Sequence, residues 1–290
     1  MTQAIQSLSD IAHKFDAIVL DQWGVLHDGS APYPGAIAAL ANLKAAGPRL
    51  AVLSNSGKRS APNRARIAAM GFDTDLFETV MTSGEALWQD IAQGHLPYKT
   101  LFAITAARGD AESWADGLDI TLTDTPAQAE AILLMGLPDD ADPATYTATL
   151  DHARARGIPV LCTNPDRASP RAGGAIVVSP GALAYAHIAA GGDVRVYGKP
   201  HAPVFRALEQ ALNLPTSRLL MVGDSLEHDI AGGHGAGWAT AFVRGGLHAG
   251  HFNAKTPDDM VDALATLAAR EDAPMPTFTL NQLGHLDDQA

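Results

Sequence analysis

Four segments of the sequence carry the carboxylate, hydroxyl and amino groups that phosphoryl chemistry needs. Asp21 opens DQWGVLHDG, Ser54 opens SNSGKR, Lys199 lies in VYGKP, and Asp224 and Asp229 lie in GDSLEHD. One carboxylate can be a nucleophile, others can hold Mg²⁺ through oxygen ligands, and the hydroxyl and amino groups can bind phosphoryl oxygens. Each residue alone is an ordinary turn, cap or surface residue. Their joint appearance in this order predicts a site.

Three of these segments begin where an apolar run ends. The runs are AIVLD at 17–21, RLAVLSN at 49–55 and RLLMVGD at 218–224. Continuously apolar runs of this length are typical of parallel strands that are covered on both faces. Ligands of open α/β sheets bind at the carboxyl ends of such strands. We therefore expect the polar residues at these three ends to lie together.

Helical patterns alternate with these strands. Pro34 is predicted to open a helix whose buried face carries Ile37, Leu40 and Leu43, and the glycine at 47 ends it. The last 20 residues are polar and interrupted by proline, so they are expected to form a loosely packed tail. Further predicted elements are a helix after Pro203, a strand at 239–243 and a helix at 256–270.

A second alternation of strands and helices lies in the middle of the chain. Its apolar runs are TLFAIT at 100–105, AILLMGL at 131–137 and IPVLCTN at 158–164. Alternation of this kind is typical of βαβ units, so the fold class is α/β with parallel sheets and an inserted domain. The predicted domains are a discontinuous core of residues 1–83 and 194–290 and an insertion of residues 84–193.

Composition narrows the class of partner. The chain has 290 residues, 47% of them hydrophobic, which is typical of folded globular proteins. Its formal net charge is −12, and it has no basic cluster, so neither nucleic acid nor a membrane is an expected partner. We found no leader and no long apolar segment, and the chain has one cysteine, Cys162, so we expect a cytoplasmic protein. The apolar surroundings of Cys162 favour a buried residue over a nucleophile.

Taken in order, the four segments resemble the motifs of the haloacid dehalogenase (HAD) superfamily. DQWGVL is similar to its first motif, LSN to its second, GKP to its lysine motif and GDSLEHD to its GDxxxxD motif. The insertion resembles the C2-type cap of the class IIA, NagD-like branch, and PYPGA, VMTSGEA, TNPD and GKPHAPVF add to the likeness. The resemblance implies a Rossmann-like HAD core with an inserted α/β C2-type cap. It also implies Mg²⁺ as the cofactor, hydrolysis of a small phosphorylated metabolite such as a sugar phosphate or a nucleotide, and a possible homodimer.

The same resemblance assigns roles to individual residues. Asp21 is similar to the nucleophile that becomes an aspartyl phosphate. Asp21, the backbone carbonyl of Trp23 and Asp224 are the implied metal ligands, and Asp229 is the implied orienting residue of the metal shell. Lys199 and Ser54 are implied catalytic groups that offset phosphoryl charge. The implied substrate-binding residues are Ser54, Asn55, Lys199, Asn164, Asp166 and Arg167.

The 164–167 loop has two arginines in or beside it. Arg167 and Arg171 are suited by type to bind a second anionic group of the substrate. A tight Asn-Pro turn with solvated arginines explains the same residues equally well, so both interpretations stay open at this point.

The first motif departs from the family pattern at Trp23. Phosphatases of this superfamily carry a second Asp there, which protonates the leaving oxygen and then activates water, and indole does neither at neutral pH. His27 and Asp28 are the nearest groups in sequence that could replace it, although both also suit a loop. Three functions stay open: a slow phosphatase, a regulatory protein that binds phosphorylated ligands, and a hydrolase of another bond.

Overall fold

The computed structural model describes residues 2–170, 175–252 and 256–284. These residues form two compact units, and we describe each by itself. The first unit takes its described residues from 1–54, 64–80 and 208–290, and the second from 55–63 and 81–207. The predicted insertion, 84–193, lies within the range of the second unit.

The elements have the following bounds among the described residues. The strands are β1 (Gln3–Ala4), β2 (Ala17–Leu20), β3 (Arg49–Ser54), β4 (Phe77–Thr82), β5 (Thr100–Ile104), β6 (Thr121–Leu122), β7 (Ala131–Leu134), β8 (Val160–Cys162), β9 (Ala168–Pro170), β10 (Ile176–Val178), β11 (Val194–Val196), β12 (Leu219–Gly223), β13 (Ala239–Val243) and β14 (Phe278–Leu280). The α-helices are α1 (Ala36–Ala45), α2 (Ser60–Ala69), α3 (Ser83–Ala92), α4 (Asp110–Ala115), α5 (Thr147–Arg156), α6 (Pro180–Ala189), α7 (Ala202–Leu212), α8 (Ala231–Gly235) and α9 (Pro257–Arg270).

The main sheet has, within the described part of the chain, seven strands in the order β1-β14-β13-β12-β2-β3-β4. Strand β2 pairs in parallel with β3 on one side and β12 on the other. From β2 the chain proceeds outward through β3 and β4, and from β12 it proceeds outward in the opposite direction. The strand order therefore reverses between β2 and β12, which is where open α/β sheets bind ligands.

Helix α1 packs only part of its predicted face. Leu40 and Leu43 are buried, as expected, but Ile37 is 41% exposed. The helix begins at Ala36 after Gly35, and its buried residues are Ala36, Ala39, Leu40 and Leu43. With about 100° between successive residues, Ile37 lies to one side of that face, so its predicted burial is wrong.

The prediction of a loosely packed tail is also wrong for the described residues. Strand β14 pairs in parallel with both β13 and β1, inside the main sheet. Phe278, Leu280 and Leu283 are all buried. Three apolar and β-branched residues suffice for this strand because neighbouring strands on both sides supply its hydrogen bonds. The polar composition of the surrounding segment hides these three residues in the sequence.

We expect Leu280→Ala to lower the free energy of unfolding by about 2–5 kcal/mol, since Leu280 is fully buried. Urea denaturation followed by circular dichroism measures this loss. Met275→Ala is the matched control because Met275 lies just before β14 and is 42% exposed, so its truncation should cost less than about 1 kcal/mol. Equal losses for both variants would contradict the assignment of β14 to the core.

The second unit has its own parallel sheet, with five described strands in the order β11-β8-β7-β5-β6. Three of them, β5, β7 and β8, confirm the strands predicted at 100–105, 131–137 and 158–164. Strand β11 pairs with β8, so residues 194–196 belong to this sheet and not to the predicted core range that starts at 194. Strands β9 and β10 form a separate antiparallel pair.

No helix among the described residues is long and apolar enough to cross a membrane.

Candidate active site

Three predicted site residues of the first unit meet at one edge of the main sheet. Asp21 follows β2, Ser54 ends β3, and Asp224 follows β12. Because these strands are parallel neighbours, their carboxyl ends lie side by side. Asp21 and Asp224 thus lie on either side of the point where the strand order reverses.

The loop after Asp21 turns back on itself at once. The carbonyl of Gln22 accepts hydrogen bonds from the N–H groups of Leu26 (2.8 Å) and His27 (3.2 Å), and Gly24 N–H donates to the carbonyl of His27 (3.1 Å). The N–H of Asp21 donates to Val222 of β12, at 2.9 Å. These bonds fix the backbone on both sides of the Asp21 side chain.

Trp23 occupies this loop with its indole beside the backbone of Gly29. A Cβ atom at Gly29 would lie 2.7 Å from the indole nitrogen, so the ring lies directly against that glycine. Trp23 is 37% exposed. The side chain therefore packs on the loop and brings no acid or base to it.

Asp229 is placed by an unusual helical turn. Residues Leu226–Ile230 form a π-helix, in which Ile230 N–H donates to the carbonyl of Ser225 at 3.2 Å. Ser225 N–H in turn donates to Oδ2 of Asp229 at 3.1 Å. Asp229 is fully buried. Short π-helical turns inside proteins occur frequently at functional sites, and here the turn brings a carboxylate back toward Asp224.

Asp21, Asp224 and Asp229 each offer a carboxylate oxygen, and these atoms all lie within 4.8 Å of one another. Leu247 N–H donates to Oδ2 of Asp224 at 2.7 Å, which fixes this carboxylate from a loop after β13. Among residues 2–170, 175–252 and 256–284, no second group of three His, Cys, Asp or Glu side chains is arranged to hold a metal.

Two glycines make room for the Asp224 carboxylate. A Cβ atom at Gly24 would lie 1.7 Å from Oδ2 of Asp224, and one at Gly246 would lie 2.3 Å from the same atom. Gly24 also has a φ of +81°, which side chains rarely adopt. The backbone therefore approaches the carboxylate on two sides, as a cradle that any side chain would fill.

This donor set fits a hard divalent cation. It consists of carboxylate oxygens, the ligands that Mg²⁺ prefers, and it lacks the nitrogen and sulfur ligands that favour zinc. Three carboxylates this close repel one another unless a cation or a proton offsets their charge. The carbonyl of Trp23 stays a predicted ligand.

A comparison with family models decides the classification. Residues 15–237 match the model of the haloacid dehalogenase-like hydrolases, a range that includes every predicted site residue. This chain belongs to that family. The resemblance in the sequence is thereby confirmed, and so is the α/β HAD fold class.

Known proteins resemble this HAD-like hydrolase over most of its length. Chronophin from Rattus norvegicus is 27% identical over 286 residues, which cover 97% of this chain and 89% of that protein. Sugar-phosphatase AraL from Bacillus subtilis is 27% identical over 262 residues, covering 85% and 90%. The crystal structure of a haloacid dehalogenase-like hydrolase from Brucella suis superposes with a TM-score of 0.77 at 28% identity, covering 95% of this chain and 98% of that one.

The second unit of this HAD-like hydrolase brings together Asn55, Asp166 and Lys199. The Asn55 amide nitrogen donates to Oδ1 of Asp166 at 2.8 Å and to the carbonyl of Lys199 at 3.4 Å. The Asn55 amide oxygen accepts from the N–H of Lys199 at 2.7 Å. Lys199 itself is 2% exposed. Asn55 thus fixes the backbone of the lysine segment and the carboxylate of the loop at the same time.

The other predicted substrate residues of the second unit lie on the loop after β8. The Asn164 side chain accepts from Asp166 N–H at 3.1 Å, which closes a tight turn around Pro165. Arg167 is exposed at the end of this turn. Arg171, the other arginine considered in the sequence, lies outside the described residues.

His27 and Asp28 carry no acidic proton at neutral pH. Burial, with a smaller effect of the Arg66 charge, lowers the pKa of His27 to about 4. Its Nδ1 accepts from Gly29 N–H at 3.0 Å, so the neutral ring holds its proton on Nε2. The N–H groups of Ala31 and Ser30 bind the Asp28 carboxylate and lower its pKa. Both residues therefore serve the loop, and neither replaces the missing acid.

Cys162 is a buried structural residue of β8. Its thiol donates to the carbonyl of Asn164 at 3.2 Å, and burial raises its pKa to about 12. A thiol with this pKa is about 10⁻⁴ ionised at pH 8, and only the thiolate is a good nucleophile. The structure thus agrees with the sequence analysis that Cys162 is not the nucleophile.

We expect Cys162 to be inert to a chromogenic disulfide reagent in the folded protein at pH 8, because the thiol is both buried and protonated. The same assay in 6 M guanidinium, roughly the level that unfolds stable domains, should release one equivalent per chain. Rapid reaction of the folded protein would show that the thiol is accessible and would reopen its role.

Three residues of the site have no side-chain chemistry that a sequence motif reveals: Gly24, Gly246 and Leu247. They act through backbone atoms, by close approach to Asp224 or by one N–H bond to it. The available signal was the Gly245-Gly246 pair, one residue after the strand predicted at 239–243, since paired glycines indicate a close backbone approach.

Proposed function

We propose that this HAD-like hydrolase is a Mg²⁺-dependent phosphatase that acts on small phosphorylated metabolites, such as sugar phosphates or nucleotides, through an aspartyl phosphate on Asp21. The single observation that carries the proposal is the cluster of three carboxylates, from Asp21, Asp224 and Asp229, at the point where the strand order of the main sheet reverses. The similarity of this chain to Sugar-phosphatase AraL, along most of its length, supports small phosphorylated metabolites as the substrate class. We also propose that the second unit contains the cap.

Asp21, Asp224 and Asp229, with the Trp23 carbonyl, would hold the metal ion. When bound, Mg²⁺ supplies positive charge that offsets the carboxylates and the phosphoryl oxygens. The rigid backbone around Asp224 and Asp229 fixes these carboxylates before the substrate arrives. Such preorganisation stabilises developing charge without reorganisation during the reaction.

In the proposed reaction, a carboxylate oxygen of Asp21 attacks phosphorus. The new bond joins this oxygen to phosphorus, and the bond from phosphorus to the ester oxygen breaks. The ester oxygen leaves as an alkoxide with that electron pair and takes a proton from solvent. A water oxygen then attacks the phosphorus of the aspartyl phosphate, and the bond from phosphorus to the Asp21 oxygen breaks. Inorganic phosphate leaves, the Asp21 carboxylate is restored, and the proton that water loses goes to solvent. We assign the binding of phosphoryl oxygens to Ser54, Asn55 and Lys199, and contacts with the rest of the substrate to Asn164, Asp166 and Arg167.

Because Trp23 supplies no acid, the rate of hydrolysis is expected to depend strongly on how easily the leaving group departs without a proton. An alkoxide needs a proton as it leaves, whereas p-nitrophenolate does not, and no acid stands at position 23. We therefore expect p-nitrophenyl phosphate to be hydrolysed much faster than alkyl phosphates, by about 10² or more.

The test is phosphate release from p-nitrophenyl phosphate and a panel of alkyl, sugar and nucleotide phosphates, in Mg²⁺ and in EDTA. We expect turnover in Mg²⁺ that EDTA abolishes and Mg²⁺ restores. Trp23→Asp should raise the rate with alkyl phosphates by about 10-fold or more and leave p-nitrophenyl phosphate within a few fold. Turnover that EDTA does not affect would contradict the proposal.

One observation favours a second candidate function. Because the first motif has an indole where an acid and base is needed, the same site could bind phosphorylated ligands with little turnover, in a regulatory role. This function predicts calorimetric binding of phosphate esters in Mg²⁺ with no phosphate release by the wild-type protein. A gain of turnover in Trp23→Asp would then show that the remaining site is intact.

A further inference from the structure

Arg167 is held by two residues that the proposed reaction does not use. Its guanidinium carbon lies 4.1 Å from the centre of the Tyr185 ring. The Tyr185 hydroxyl is hydrogen-bonded to Nε2 of His201, at 3.1 Å. All three residues belong to the second unit. This arrangement is more ordered than the solvated arginine that the sequence also allowed.

Tyr185 forms one of two bridges between the loop at 166–167 and the segment at 199–201. The first bridge is Asn55, which joins Asp166 to the backbone of Lys199. The second runs from Arg167, the neighbour of Asp166, through Tyr185 to His201, two residues after Lys199. Two bridges therefore join the Asp166–Arg167 loop to the segment that carries Lys199 and His201.

Further contacts hold the backbone of the loop. The carbonyl of Asp166 accepts from Gly181 N–H at 3.0 Å, and the carbonyl of Arg167 accepts from Ser179 N–H at 3.1 Å. Gly181 lies in α6, the helix that also carries Tyr185. The backbone of the loop is thus bound by α6 and by Ser179, the residue just before it, and the same helix supplies the ring that contacts the guanidinium.

The guanidinium keeps its hydrogen-bonding edge available. An aromatic ring contacts the face of a guanidinium, whereas its five donors point outward in the plane. Among the described residues, no carboxylate forms an ion pair with Arg167, whose side chain contacts the Tyr185 ring. The neighbouring Asp166 carboxylate accepts from Asn55. In a chain with a net charge of −12, a stacked and unpaired arginine is a local binding group for anions.

We propose that Tyr185 and His201 position Arg167 to bind a second anionic group of the substrate, so that the preferred substrates are phosphate esters that carry a carboxylate or a second phosphate. A planar guanidinium edge suits both oxyanions. This inference rests on the proposed phosphatase function and specifies its substrate class. Tyr185 and His201 act through Arg167 and are positioning residues.

The test compares ω-carboxyalkyl phosphates of two to four carbons with their carboxamides, which have the same shape without the charge. We expect kcat/KM for the best acid to exceed that for its amide by about 10-fold or more, mainly through KM. Arg167→Gln should reduce this ratio to about 1, mainly by raising KM for the acids. The corresponding alkyl bisphosphates show whether a second phosphate serves as well as the carboxylate.

The positioning role has its own variants. Tyr185→Leu removes the ring and should reduce the acid-to-amide ratio nearly as far as Arg167→Gln. Tyr185→Phe keeps the ring but loses the hydrogen bond to His201, so it should reduce the ratio only in part. A purely structural role of Tyr185 would lower turnover of acids and amides alike. Arg195→Gln is the matched control, because Arg195 also lies over a tyrosine of the second unit, Tyr98, at 5.7 Å, and the ratio should not change.

Calorimetry keeps this inference distinct from the proposed function. Asp21→Asn protein in Mg²⁺ should bind the acid at least about 10-fold more tightly than the amide, and Arg167→Gln in that background should abolish the difference. A ratio near 1 in both kinetics and binding would overturn the inference while leaving the phosphatase proposal intact. Absence of phosphate release from every ester would overturn the phosphatase proposal, and the binding ratio would still decide the role of Arg167.

Discussion

Asp21→Asn is expected to lower the rate of phosphate release by at least about 10³-fold, because an amide cannot form the aspartyl phosphate. Removal of a covalent nucleophile in other hydrolases lowers kcat by up to about 10⁶-fold. The Asn side chain has nearly the same size as Asp, and the N–H bond from Asp21 to Val222 is a backbone bond that survives the substitution. We therefore expect a folded protein whose melting temperature is close to that of the wild type.

The control for this prediction lies at the other end of the same strand. Asp16 precedes β2, is partly exposed and forms an ion pair with Arg218 at 2.8 Å. Asp16→Asn makes the same chemical change and loses only a surface ion pair, so its phosphate release should stay within about twofold of the wild type. Phosphate release by Asp21→Asn at the wild-type rate would refute Asp21 as the nucleophile.

Gly24→Ala is expected to reduce phosphate release by about 10²-fold and to weaken Mg²⁺ binding by about 10-fold or more. The added Cβ would lie 1.7 Å from Oδ2 of Asp224, so either this carboxylate or the loop after Asp21 must move. Displacement of a catalytic group by about 1 Å can cost about 10²-fold in rate. The φ of +81° adds backbone strain of about 1 kcal/mol.

Gly47→Ala separates these two effects. Gly47 has a φ of +108°, and a Cβ atom there would meet nothing within 4 Å. Its substitution should therefore lower stability by a similar amount without loss of activity or metal affinity. Phosphate release is the first measurement and calorimetric titration with Mg²⁺ is the second. If the two glycine variants behave alike, the close approach of Gly24 to Asp224 has no functional importance.

Asp21 and Gly24 differ in whether their importance can be inferred from the sequence or needs the structure. Asp21 could be selected from the sequence because a carboxylate follows an apolar strand in a pattern that resembles a known motif. Gly24 could not be distinguished from the other glycines of the chain, since its role depends on a carboxylate that lies 200 residues further along the sequence.

The strands that carry the site can be found from the amino-acid sequence alone. Continuous apolar runs predict buried parallel strands, and β2, β3, β12 and β13 lie where these runs were found. The polar residues that follow them could therefore be placed at one edge of a sheet. Local hydrophobic patterning carries this information because strand burial depends on the residue types within a short window.

The backbone groups and positioning residues that complete the site become visible in the folded chain. The N–H of Leu247, the π-helical turn at Asp229 and the stacking of Tyr185 on Arg167 each join residues distant in sequence or depend on exact backbone paths. The same reason explains β14, whose three residues form a strand because β1 and β13 are both available as partners. Three such residues within a largely polar segment form no pattern that reveals these partners, since pairing in a sheet is set by long-range contacts.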